Sequence, residues 1–91
     1  MKIPEDPWIV MAAERWIELS RARRANPSVK GRNGEPEHIA YSEALDGAYA
    51  CEGLKPRRSG PLTLYGTEGE QQAVNMRVMM TAIELLLDAA D

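Results

Sequence analysis

Glu35 and His38 stand three residues apart in GEPEHIAY, a spacing that puts a carboxylate and an imidazole on one face of a helix. Helical bundles hold metal pairs with two such motifs and further inward-facing carboxylates. Here Pro36 falls inside the motif and His38 is the only histidine, so a full ligand set needs a second copy of the chain, with Glu14 or Glu18 added. Those two glutamates belong to a solvent-facing helical stripe. No metal site and no cofactor is therefore expected. One histidine without a placed partner gives no nucleophile, base and orienting group to combine, and the chain has no glycine-rich phosphate loop. The expectation is a protein that is not an enzyme.

Arg32 and His38 form an Arg-x5-His arrangement similar to that of the HEPN-type helical ribonucleases. The resemblance covers seven residues and implies two side chains converging on one phosphate. Gly34 and Pro36 interrupt the motif and put Arg32 in a loop, which leaves His38 as a partly exposed residue at a helix start.

The formal net charge of −3 conceals a segregation of sign. Arg21, Arg23, Arg24, Lys30 and Arg32 follow one another with no acid between Glu18 and Glu35. Glu35, Glu37, Glu43, Asp46 and Glu52 then follow with no Lys or Arg among them, before Lys55, Arg57 and Arg58 reverse the sign again. Blocks of this kind pair with each other or face a partner. The basic segment is a candidate contact for nucleic acid or an acidic partner, holding phosphates without reading bases. The acidic helix after it does not suit a helix-turn-helix reader, and it is the candidate protein-binding face.

Ninety-one residues, 44% hydrophobic and 27% charged, make one domain (residues 1–91) of ordinary globular composition. Phe does not occur, so Trp8, Trp16 and the three tyrosines supply the packing volume. The single cysteine, Cys51, excludes an intrachain disulfide and is expected to be a small buried core residue. MKIPEDPW carries two acids and two prolines before any apolar run and does not read as a signal peptide, so a cytoplasmic protein is expected.

Three helices position these residues, near 7–25, 36–52 and 68–90, and predict an all-α three-helix bundle. Asp6 before Pro7 is a helix start, and Trp8, Ile9, Ala12, Trp16 and Leu19 share a face, with Ala13 at its edge. Asn26 and Pro27 end that helix, and residues 26–34 read as a mobile loop. The second helix opens at Pro36, presents Tyr41, Ala44, Leu45, Ala48, Tyr49 and Cys51, and ends with Gly53 and Leu54 in a Schellman motif. Gly47 inside it marks a close contact or a weak point. In KPRRSGPLTLYG, Leu62 to Tyr65 is an extended segment at most, pinned by its leucines and lacking a strand partner unless a second copy pairs with it.

The final helix starts with a Thr67/Glu70 capping box. It gathers Glu70, Arg77, Thr81, Glu84 and Asp88 into one narrow polar stripe, and apolar residues cover roughly two thirds of the circumference. Charges within it make the apolar stretch too short for a membrane span. One flank, Val74, Val78 and Leu85, is expected to face the other helices. The other flank, Met76, Met79, Met80, Ile83 and Leu87, is left over as a homodimer interface, which Ile83→Glu would split or unfold. Small size, sorted charge and an over-apolar helix read as a non-catalytic adaptor or inhibitor binding a larger protein or protein–nucleic-acid assembly. Phage-encoded inhibitors of bacterial defence, anti-CRISPR proteins among them, are similar in size and plainness. The alternatives are a nucleic-acid-binding accessory protein using residues 21–32, and a helical ribonuclease or metal-binding dimer.

Overall fold

The computed structural model describes residues 6–25 and 35–90. Helix α1 spans Pro7–Ala25, α2 Pro36–Cys51 and α3 Glu68–Ala90, with strands β1 (Pro56–Ser59) and β2 (Leu62–Tyr65) between the last two. The predicted loop at 26–34, with Lys30 and Arg32, lies outside the described residues.

Each helix boundary has a local cause. At the start of α1 the Asp6 Oδ1 accepts the Ile9 amide at 3.0 Å, while Pro7 fills the first position without needing a partner for its nitrogen. Glu35 precedes α2 in an extended conformation but makes no cap bond, its side chain being held elsewhere. The end of α2 is the expected Schellman motif: Gly53, at φ +80°, donates to Ala50 O at 3.0 Å and Leu54 donates to Tyr49 O at 3.1 Å. At the start of α3 the Glu70 amide donates to Thr67 Oγ1 at 3.1 Å and the Thr67 amide donates to Glu70 Oε1 at 2.8 Å, which closes the capping box.

The expected extended segment is instead one strand of a hairpin. β1 and β2 pair antiparallel with Arg57 opposite Leu64 and Arg58 opposite Thr63, so the strand partner comes from the same chain. Pro56 and the two arginines gave β1 no apolar alternation to read, yet Gly60 at φ +61° followed by Pro61 supplies a two-residue turn of the kind that suits hairpin twist. A lone hairpin is marginal in water. This one is held to the helices through Tyr65, whose ring stacks on Tyr49 with centroids 5.4 Å apart.

α1 packs closely on both other helices, while α2 meets α3 through side chains, Tyr49 with Asn75 and Glu52 with Arg77. Trp8 meets Gly47 and Arg23 meets Glu35, so α1 and α2 run antiparallel. The molecule measures 41 × 36 × 18 Å, a flat arrangement. Its buried cluster is Ile9, Ala12, Ala13, Ala44, Ala48, Tyr49, Val74, Val78 and Ala82. Five of these nine are alanines, which bring helix backbones close but each remove little apolar area from water.

Ala13, placed at the edge of the expected face of α1, is fully buried, because helices on both sides of α1 widen its buried arc. Trp8 is pushed to the rim and remains 41% exposed, with its six-membered ring lying on Gly47. A Cβ at Gly47 would fall 2.2 Å from Trp8 Cε3, so this glycine marks a close contact. Cys51, expected in the core, is exposed: it shares the face of Ala44 and Ala48 but is the last residue of α2, at the end of that face.

Gly47→Ala normally stabilises a helix interior by about 1 kcal/mol. Here it should lower the melting temperature in the wild-type chain and raise it in a Trp8→Ala background, a coupling of about 1–2 kcal/mol measurable by thermal unfolding of the four variants. Thr67→Ala should cost about 1 kcal/mol through loss of the cap. Hydrogen bonds from the Thr67 amide, then from its hydroxyl, hold the Glu70 carboxyl below the usual carboxylate range. A lowered folded-state pKa gives stability that is present above the unfolded value and is lost as pH falls through the folded one. Urea unfolding at about pH 6 and about pH 3 should therefore show a larger loss for the wild type than for Glu70→Gln.

Candidate interaction surfaces

The expected acidic face is divided by ion pairs. Glu35 accepts from Arg23 Nε at 2.9 Å, tying the start of α2 to the end of α1. Glu52, at the C-terminal cap of α2, binds Arg77 of α3. Glu37 is half-buried, while Glu43 and Asp46 remain exposed on α2. Partial burial raises the Asp46 carboxyl above its ordinary pKa, and the nearby Glu43 raises it further, so these two acids form a local concentration of negative charge.

The basic segment is divided in the same way. Arg23 is committed to Glu35, whereas Arg21 and Arg24 are exposed along the last turns of α1. Both border a cleft of about 390 Å³ whose other lining residues are Trp16, Ile17, Ser20 and Leu86. The structure thus places two guanidinium groups beside an apolar opening between α1 and the C-terminal half of α3. That combination suits an acidic group carried on an apolar body.

Arg77 occupies a position that sequence reasoning assigned to a simple polar stripe. Its guanidinium binds Glu52 and lies 3.7 Å from Asp6 Oδ2, joining the N-cap of α1 and the C-cap of α2 to α3. Asp6 Oδ2 is buried without a hydrogen bond, so the positive charge opposite it offsets its desolvation. The available signal was one arginine inside an otherwise apolar stretch, where a cation persists only with a carboxylate near it. Thr81, also of that stripe, is buried at 3% exposure, because α1 packs over the side of α3 that carries it. Beside this node Tyr49 donates to Asn75 Oδ1 at 2.6 Å, and burial, the largest effect, raises the tyrosine's pKa.

Four of the five residues expected at a dimer interface are open: Met76 is 64% exposed, Met80 59%, Ile83 56% and Leu87 59%. Met79 differs, packing partly against the buried cluster. Val74 and Val78 are buried, as expected of the opposite flank, and Leu85 is packed beside them. His38 is half-buried near the start of α2, and Arg32, its partner in the seven-residue motif, lies outside the described residues. Among the described residues no three His, Cys, Asp or Glu side chains gather as metal ligands, and no helix is long and apolar enough to cross a membrane.

Arg77→Met should lower stability by about 1–2 kcal/mol, since it leaves two carboxylates at one place without their cation. Adding Glu52→Gln to that variant should cost less than it does in the wild type, which a double-mutant cycle in urea would register. No protein-family model, curated protein or solved structure matches the chain.

Proposed function

We propose that the protein is a small non-catalytic interaction module, an adaptor or inhibitor, whose charged patches address a larger protein or protein–nucleic-acid assembly. The observation that carries this reading is the row of more than half-exposed Met76, Met80, Ile83 and Leu87 on α3. A contiguous apolar patch of several hundred Å² on a small protein marks an interaction surface, and methionine adapts readily to the shape of a partner. The charged patches supply selectivity: Glu43 and Asp46 on α2 face outward, and Arg21 and Arg24 flank the cleft on α1.

One form of such a module is a phage-encoded inhibitor of bacterial defence, of the anti-CRISPR kind. In that form Glu43 and Asp46, exposed three residues apart on α2, would imitate nucleic-acid phosphates toward a basic groove. A second reading, direct nucleic-acid binding by the basic segment, is favoured by the exposure of Arg21 and Arg24.

A pull-down with the tagged full chain, with and without nuclease, separates the two. A protein partner retained after nuclease treatment and released by Glu43→Lys with Asp46→Lys is the expected result. Retention on a DNA or RNA column that Arg21→Glu with Arg24→Glu abolishes would move the assignment to nucleic acid. If neither partner nor column retains the protein, the interaction reading fails.

A further inference from the structure

Met76, Met80, Ile83 and Leu87 recur in steps of four, three and four. Met76 and Ile83, and likewise Met80 and Leu87, thus repeat after one heptad, the repeat of a two-helix seam in which each side chain enters a hole on a facing helix. At 100° per residue the row points away from the side bearing Val74, Val78, Thr81 and Ala82, which α3 turns toward the rest of the chain. A facing helix can therefore approach without displacing α1 or α2. Arg77 and Glu84 border the row on one side, and Met79 and Leu86 border it on the other.

We propose that the facing helix is α3 of a second copy, running antiparallel about a twofold axis between Met80 and Ile83. This rests on reading the exposed row as an interaction surface and names what covers it. Antiparallel pairing sets Met80 against the partner's Ile83 and Met76 against the partner's Leu87, and the symmetry repeats both contacts. The borders then match. Arg77 lies opposite the partner's Glu84, and Met79 lies opposite the partner's Leu86. Arg77 keeps its intrachain bonds to Asp6 and Glu52, since a guanidinium has five donors in a fork.

A parallel pair would instead set Glu84 against the partner's Met79. It would also bring both copies of Glu84 and Asp88 together at two negative helix ends. In the antiparallel arrangement each acidic end lies beside the positive end of the other helix. The area is sufficient as well. The exposed parts of Met76, Met80, Ile83, Leu86 and Leu87 amount to roughly 500 Å² per copy, so two copies with their borders approach the total of about 1,200 Å² that stable interfaces need.

Light scattering on the full chain should give twice the 10.1 kDa of one copy. Ile83→Glu should weaken dimerisation by about 100-fold with an unchanged helical spectrum, and Ile83→Leu should leave the dimer intact. Orientation is read by thiol cross-linking in a Cys51→Ser background, which removes the exposed native thiol. Met76→Cys chains mixed with Leu87→Cys chains should be joined to each other by a short bismaleimide, and neither should join to its own kind. Cross-linking of Met76→Cys to itself would overturn the antiparallel arrangement. A single-copy mass at about 100 μM, a concentration at which even a weak dimer forms, would overturn the dimer. A single-copy protein that still captures a partner would leave the interaction reading standing, whereas a cross-linked dimer that captures nothing would remove that reading and keep this one.

Discussion

The structure depends on how closely α1 can approach α2. Ala12 and Ala13 on one helix, Ala44 and Ala48 on the other, and Gly47 beneath the Trp8 ring leave little side-chain volume between the two backbones. Close approach gains dispersion contacts along the whole crossing. It also limits the apolar area the crossing can bury, since alanine has little to hide. Among the described residues Ile9 and Val78 are the largest fully enclosed side chains. A chain with so thin a core needs its helix ends fixed by other means.

Those means are polar and lie at the helix ends. Asp6 caps α1, Gly53 and Leu54 close α2, and the Thr67/Glu70 box opens α3. Arg77 ties two of these ends to the third helix through Asp6 and Glu52. Arg23 with Glu35 joins the remaining pair of ends across the connection between α1 and α2. Arg23 with Glu35 thereby joins the basic block to the acidic one, and Arg77, from outside the blocks, takes up Glu52. Among the described residues Arg21 and Arg24 on α1 and Glu43 and Asp46 on α2 remain turned outward, and Lys55 and Arg58 are exposed beyond α2.

The flat layout has a direct consequence for α3. One side of this helix packs on α1 and meets α2 at Asn75 and Arg77, and the opposite row of methionines and aliphatic residues faces outward. Function follows from that geometry more than from any single reactive group. A partly covered apolar helix held rigidly at its start by a capping box and by Arg77 presents an ordered surface, and an ordered surface loses less entropy on binding than a mobile one.

The helices were legible from the sequence because their boundaries depend on contacts within four or five residues: Asp6 with Ile9, Thr67 with Glu70, and Gly53 and Leu54 with the last turn of α2. The two sides of α3 were legible for the same reason, since helical periodicity is a local property. The hairpin was half legible, because β2 shows strand-like residues while β1 is a proline and two arginines whose pairing depends on the turn and on Tyr65 reaching Tyr49. Only the tertiary structure decided that Ala13 lies in the core while Cys51 does not, that Arg77 bridges Asp6 and Glu52, and that α1 packs closely on both other helices. Each of these depends on which helix lies beside which, and residues 25 to 71 positions apart in the chain meet there for reasons that no local window of sequence contains.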